Sequence, residues 1–311
     1  MASHGFSLAP DGGKVRHYGD LLRHETISLL RRFDIRAKRD LGQNFLIDSN
    51  VLDQIIAAAD LSLSDIVLEV GPGLGILTRE LAKRCRRTVA VEVDPKMIAV
   101  LAQTMADLPN VTIVEKDVLE TDPIILLADA LSEKSDTVGA ESYKVVANLP
   151  YYITSVALRH FLEAERKPRL MVLTIQKEVA ERIVAKPGDM SLLAVSVQVY
   201  GSARIVAKVS ASSFLPAPKV DSAILRIDVY DRPAVEVDDI DAFFRLVQAG
   251  FSQPRKQLHN AINQRIWLLP GKAQDLLRDA GIEPSRRAGS LSLEEWARFY
   301  ETMRTNKEEV K

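Results

Sequence analysis

The sequence predicts an α/β fold, a parallel sheet with helices on both faces, followed by a small all-helical domain. Three observations carry that prediction. Short apolar runs alternate with amphipathic stretches from about residue 50 to residue 176, the rhythm of repeated strand–helix units. A glycine-rich turn, GPGLG, follows the first long run directly. Beyond residue 238 the apolar residues recur only at helical spacing.

The elements follow in order. Residues 1–18 contain Gly, Ser and His without periodicity and are expected to form a disordered tail. YGDLLRHETISLLRRF has the spacing of a helix, and LGQNFLIDSN that of a loop in which Asp48 or Ser49 can cap the helix NVLDQIIAAADL. DIVLEVG is a buried strand interrupted only by Glu69. GILTRELAKRC is a helix and TVAVEVD a second strand; Pro95 is placed as the first residue of a helix to about Met105. NVTIVEKD is a third strand and YKVVANL a fourth. Between them PIILLADAL fits a helix, and SEKSDTVGAES an exposed loop. Helix TSVALRHFLEAE and strand RLMVLTIQ continue the rhythm. YDRPAVEVDD (230–239) is polar with a proline and reads as a linker. The organisation is then a tail at 1–18, an α/β domain at 19–232 and a helical domain at 238–305, with no internal repeat.

Composition bounds the function. The chain has 311 residues, 47% apolar and 27% charged, ordinary for a soluble globular protein. It holds no run of about 18 apolar residues, so no transmembrane helix and no membrane partner are expected. Its start lacks the basic and apolar regions of a signal peptide. The single cysteine, Cys85, excludes an internal disulfide, which fits a reducing, cytoplasmic setting. One cysteine and five scattered histidines give no metal-site spacing. Net charge is −1, so any polyanion partner must be met by local clusters. RRFDIRAKR (31–39) carries five cations and one anion, and Arg255, Lys256, Arg265, Arg286 and Arg287 lie in the C-terminal third. Each cluster alone also fits a solvated helix face.

Three strand ends carry suitable polar groups, and ligands bind outside the carboxyl ends of strands in such sheets. Gly71, Gly73 and Gly75 form G-x-G-x-G rather than the G-x-G-x-x-G of dinucleotide folds. Glu92 ends the second strand about 20 residues later, where an acid accepts from a ribose diol. Asp117 ends the third strand, where an acid can accept from an adenine amine or start a turn. No phosphate-gripping Lys or Ser follows the glycines, which disfavours a Walker-type NTPase. S-adenosylmethionine (SAM), with adenosine and no phosphate, fits better.

The fourth strand ends in NLPYY, so Asn148 enters the same crevice. The exocyclic nitrogen of an adenine is a poor nucleophile, because its lone pair is delocalised into the ring. Asn148 Oδ1 and the Leu149 carbonyl can each accept one N–H and so turn the lone pair toward a sulfonium methyl. Pro150 stiffens the turn, and Tyr151 can stack on a base drawn out of its RNA.

LGQNFLID, EVGPGLG, VEVD, EKDVL, ANLPYYITS and FLPAPKVDSAILR, in that order between about Lys38 and Asn260, resemble the small-subunit ribosomal RNA adenine dimethyltransferases, the KsgA family. The resemblance implies a Rossmann-like class I SAM-dependent methyltransferase with a small C-terminal all-helical domain. It implies dimethylation of N6 on two adjacent adenines near the 3′ end of 16S rRNA in the small (30S) ribosomal subunit, using four SAM molecules per RNA and no metal. It implies that Asn44 and Leu46 close over SAM, that Gly71 (with Gly73) contacts its methionine part, Glu92 its ribose and Asp117 its adenine, with Asn148 at the reacting region. Phe214 would be a second ring on the target base. The family's QRRK run reads SQPRK here, with Pro254 in place of one arginine and His259 where a cation is expected, which reduces positive charge. About 20 extra residues before Tyr143 have no assigned role. A large-subunit adenine methyltransferase of the antibiotic-resistance type shares the Asn-x-Pro-Tyr logic, but NLPYYIT and FLPAPKVDSA favour the small-subunit reading. A DNA adenine methyltransferase usually shows Asp-Pro-Pro-Tyr, absent here. A non-catalytic subunit-assembly factor would be expected to show a damaged crevice. A monomer is the default expectation.

Overall fold

The structure is a computed structural model that describes residues 18–38, 42–132 and 142–306. The expected tail at 1–18, apart from Tyr18, and most of the SEKSDTVGAES loop lie outside the described residues.

Among the described residues, seven strands form one sheet, in the order β4 (Val111–Glu115), β3 (Arg87–Glu92), β2 (Ile66–Val70), β5 (Tyr143–Asn148), β6 (Leu170–Gln176), β9 (Ser222–Val229), β7 (Gly201–Val209). The first five run parallel. Their centre, β2 and β5, is buried along almost its whole length, which is why these strands are continuous apolar runs rather than alternating ones. The expected parallel sheet has one reversed strand near its edge: β9 is antiparallel to both its neighbours, β6 and β7. The order in which strands are added reverses between β2 and β5, and a crevice opens there at the strands' carboxyl ends.

Helices α3 (Ile76–Ala82), α4 (Pro95–Thr104), α5 (Pro123–Ser132) and α6 (Thr154–Leu162) connect the parallel strands. Asp94 caps α4, with Pro95 in its first turn. Helix α2 (Ser49–Ala59) is tethered at both ends. Its N-cap Asp48 accepts from Asn50 N at 3.0 Å and from Ser213 Oγ at 2.9 Å. At its other end the buried Lys144 ammonium donates to the Ala59 carbonyl at 2.9 Å and Arg226 Nη1 to the Ala58 carbonyl at 2.8 Å, cations where the helix dipole favours them. Just before α2, strand β1 (Phe45–Leu46) pairs antiparallel with β8 (Phe214–Leu215).

Helices α7 (Lys177–Ile183) and α8 (Leu192–Gln198) cover the antiparallel edge, and α1 (Tyr18–Arg32) precedes β1. The C-terminal region consists of α9 (Ile240–Phe251), α10 (Leu258–Arg265), α11 (Lys272–Asp279) and α12 (Leu293–Thr305). Trp296, Phe299 and Phe243 are fully buried there, in the same apolar cluster that runs under β5, β6 and β9.

Candidate active site

The crevice outside β2, β3 and β5 is a cavity lined by the segment from Gly42 to Leu46, the glycine turn, Glu92, Asp117 and the Asn148–Ile153 turn. The positive φ angles of Gly71 (+65°), Gly73 (+56°) and Gly75 (+82°) bend the chain away from β2. At Gly75 the φ of +82° favours glycine, and a Cβ would also lie 2.7 Å from Met105 Cε, so that side chain would have to shift.

Acid and glycine turn are joined directly. Glu92 Oε2 accepts from Gly73 N at 3.2 Å, and Oε1 accepts from Val93 N and Asp94 N, both at 2.9 Å. Burial raises the Glu92 pKa, although these three bonds pull it down. Asp117 lies on the lining with Oδ1 held by Leu119 N at 2.9 Å, so it starts a turn and still faces the cavity wall.

Asn148 is set by the opposite wall. Its Nδ2 donates to the Asn44 carbonyl at 3.1 Å, which leaves Oδ1 for another donor. Asn44 is itself held, its Nδ2 donating to the Gly42 carbonyl at 2.9 Å. Next to it, Gln43 Nε2 and Lys38 Nζ both donate to the Asp94 carboxylate at 3.0 Å. Asp94 thereby ties the segment before β1 to the end of β3. Leu149 is buried and donates its N–H to the Thr174 carbonyl at 3.2 Å. Pro150 sits at φ −56°, ψ 132°. The Tyr151 hydroxyl lies 2.7 Å from the buried Ser222 Oγ.

The structure thus brings Asn44, Leu46, Gly71, Gly73, Glu92, Asp117, Asn148, Leu149, Pro150 and Tyr151 to one cavity. Phe214 is different. It is 3% exposed, pairs across the strands with Leu46 and packs in the apolar cluster under α2, off the cavity lining. The structure does not bring Phe214 onto the lining with the other ten residues. Tyr152, 61% exposed and on the lining, is the free aromatic at the mouth.

Sequence reasoning passed over Glu69. It is 1% exposed, lines the cavity and has one carboxylate oxygen without a partner. Burial pushes its pKa up to about 8, with the Glu92 charge adding to the rise. An acid inside an otherwise apolar strand, two residues before a glycine turn, was the available signal.

Of the cavity-lining residues only Lys116 is cationic, against Glu69, Glu92 and Asp117. Such a lining repels a phosphate and suits an adenosyl ligand carrying positive charge. Among the described residues no group of three or more His, Cys, Asp or Glu side chains is placed to hold a metal ion, and no helix is long and apolar enough to cross a membrane.

On the C-terminal region, Arg255, Lys256, Arg265 and Arg287 are exposed. Arg286 is not available to a partner: it is paired with Glu295 and bonded to Ser290. His259 Nδ1 donates to the Pro284 carbonyl at 2.9 Å, a packing role.

A glycine turn joined to a ribose-type acid, and an Asn-Leu-Pro-Tyr turn facing it across the switch point of a mostly parallel sheet, define a class I SAM-dependent methyltransferase acting on an amino group. Residues 35–305 match the model of the family described as ribosomal RNA adenine dimethylase, and the chain belongs to that family. Ribosomal RNA small subunit methyltransferase A of Dehalococcoides mccartyi (strain ATCC BAA-2100 / JCM 16839 / KCTC 5957 / BAV1) is 46% identical over 272 residues, 87% of this chain and 90% of that protein. The protein of the same name from Moorella thermoacetica is 40% identical over 280 residues, 89% and 96% of the two chains. Among solved structures, the 23S rRNA methyltransferase ErmE superposes with a TM-score of 0.64 at 28% identity, over 84% of this chain and all of that one.

Proposed function

We propose that this chain transfers methyl groups from SAM to N6 of two adjacent adenines near the 3′ end of 16S rRNA, in the small (30S) ribosomal subunit. The observation that carries the reading is the Asn148 amide. Its nitrogen is committed to the Asn44 carbonyl, so its oxygen is the end offered to an incoming N–H.

SAM supplies an electrophilic methyl on a sulfonium. Glu92 holds the ribose diol, Gly71 and Gly73 leave room for the methionine part, Asp117 meets the adenine amine, and Asn44 and Leu46 close the cavity from the N-terminal side. In the first transfer Asn148 Oδ1 and the Leu149 carbonyl accept the two N–H groups of the target amine, drawing its lone pair out of conjugation. As N6 bonds to the methyl the S–CH3 bond breaks, S-adenosylhomocysteine leaves and the now acidic N6 loses a proton to water, so one N–H remains for the second transfer. Pro150 fixes that carbonyl, and its own carbonyl accepts from Ile153 N at 3.2 Å. Tyr151, pinned through Ser222, stacks on the extruded base, and the exposed Tyr152 at the mouth adds a further ring beside the second one expected of Phe214. The chain acts as a monomer, in the cytoplasm, with RNA phosphates meeting the exposed cations of the C-terminal helices.

The test uses small subunits from a strain lacking this modification, incubated with protein and SAM. Digestion and mass spectrometry should find N6,N6-dimethyladenosine in the 3′-terminal fragment. Product on naked large-subunit RNA alone would replace this reading with the resistance-type one.

A further inference from the structure

A second cleft lies among α8, α9, α10 and α12 and shares no residue with the crevice described above. It has a volume of about 690 Å³, the size class of sites that take small organic ligands. Its bed is apolar, with Leu192, Leu246, Ile266 and Met303, while Arg245, Arg265 and Arg304 stand on its walls and no carboxylate does.

The arginines differ in commitment. Arg304 is paired with Glu301 at 2.8 Å and Asp238 at 3.3 Å. Arg245 reaches only Asp239, at 3.6 Å, with both side chains more than half exposed, a pair worth little in water. Arg265 is exposed and makes no side-chain hydrogen bond or ion pair with the described residues.

The surrounding sequence points the same way. Residues 242–274 contain no Asp or Glu, against five cations: Arg245, Arg255, Lys256, Arg265 and Lys272. With 42 acids in 311 residues, a stretch of 33 would carry four or five. Two residues past Arg265 stands Trp267, 63% exposed, and Leu269 is 50% exposed. An exposed indole two residues along the chain from an exposed arginine, in an acid-free segment, is a composition that suits a nucleobase and its phosphate, although Trp267 is not on the cleft's own lining. A neighbouring cleft shares Leu192, Arg245 and Gln248 with this one and extends to Ser155 on the first turn of α6, four residues after Tyr151. That neighbouring cleft also carries Glu163 and Asp241 and shares no residue with the crevice at the catalytic turn.

We propose that this cleft is a second nucleotide-binding site. One unpaired nucleotide of the substrate RNA lays its base on the apolar bed and its phosphate against Arg245 and Arg265. The proposal rests on the RNA-methyltransferase reading, which it deepens. It differs from a simple basic surface in requiring a pocket as well as charge.

The test combines two variants with the full-length protein. Arg245→Gln/Arg265→Gln removes the charges. Ala242→Phe, at a half-buried lining position on α9, fills the cleft and keeps them. Binding to unmethylated small subunits is measured against salt, SAM affinity by calorimetry and folding by thermal melts. The charge variant should weaken binding about tenfold and lower the salt slope by about 1–2. The filling variant should weaken binding about tenfold with the slope unchanged. SAM affinity should not move in either. Photocrosslinking with 4-thiouridine-substituted 16S rRNA, assembled into subunits, should label a peptide within 242–267 in the wild type and not in the filling variant. If Ala242→Phe folds, binds and crosslinks as wild type, the cleft is not a base pocket and the proposal is overturned. Wild-type subunit binding without methylation would count against the proposed function and leave this test standing.

Discussion

Replacing Asn148 by alanine removes two interactions that the structure separates. One is the 3.1 Å bond from Nδ2 to the Asn44 carbonyl, worth about 1 kcal/mol net. Unfolding entropy of about 2.1 cal/mol/K per residue over 311 residues makes that a Tm loss of about 1–2 °C. The other is Oδ1, one of the two acceptors proposed for the target amine. A fixed polar group aimed at developing charge is worth about 2.7–4 kcal/mol, so kcat should fall at least about 100-fold. The ribose acid and the glycine turn are untouched, so SAM affinity should change by less than about threefold. Asn148→Asp keeps an acceptor oxygen but sets a second oxygen against the Asn44 carbonyl, and should fall between wild type and Asn148→Ala. The assay is single-turnover transfer of a labelled methyl group to unmethylated small subunits at saturating SAM, with calorimetric SAM titration in parallel. A kcat within threefold of wild type for Asn148→Ala, at unchanged SAM affinity, would refute the role given to the amide. A loss of SAM affinity matching the loss of turnover would move Asn148 to cofactor binding alone.

Glu92→Ala should weaken SAM binding at least about tenfold, since it removes the ribose acceptor and frees the Gly73 N–H; unaltered affinity would sink the ribose assignment. The raised pKa values of Glu69, at about 8, and of Glu92 mean that the folded cofactor-free protein holds protons the unfolded chain has released. Its stability should therefore fall as pH rises from the ordinary carboxylate range through about 8. Positive charge on SAM favours the ionised acids, so its affinity should rise over the same window with proton release. Calorimetry in buffers of different ionisation heat reads that release, and a flat profile would contradict it. Gly75→Ala places a methyl at φ +82°, 2.7 Å from Met105 Cε and 3.0 Å from Leu101 Cδ2. Strain of about 1–2 kcal/mol and overpacking of about 1–3 kcal/mol should together lower Tm by several degrees; an unchanged melt would show that the turn relaxes freely. RNA affinity should fall steeply with salt, and a flat dependence would contradict a phosphate-tracking surface.

The parallel strands were legible because central burial leaves no room for alternation: Val145–Ala147 and Leu170–Leu173 are apolar throughout. Asp94 and Pro95 marked a helix start through capping chemistry that acts over a few residues. β7 and β9 escaped because β7 mixes exposed, half-buried and buried positions, and its sense is fixed only by its partner. Two-residue strands such as β1 and β8 exist only as a pairing, which no local pattern encodes. Most of the candidate site was readable, since strand ends carry the ligand groups in such sheets. The burial of Phe214 was not readable, because a motif gives a residue but not its side chain's direction. The bond between Gln43 and Asp94 joins positions 51 apart, beyond the reach of any periodicity.

The pairing of β1 with β8 has a consequence for how the protein comes into being. Phe45 meets Leu215 and Leu46 meets Phe214, so the wall that carries Asn44 is anchored to chain synthesised about 170 residues later. Closing a loop of that length costs about 4–5 kcal/mol of chain entropy, a cost that rises only slowly with length. The central strands can form as they emerge from the ribosome, and Lys38 and Gln43 can reach Asp94 early, but the β1–β8 pairing waits for residue 215 to clear the exit tunnel. The wall behind Asn44 is therefore completed only after residue 215 and the stretch of chain that fills the tunnel behind it have been made, so full competence for methyl transfer comes late in folding.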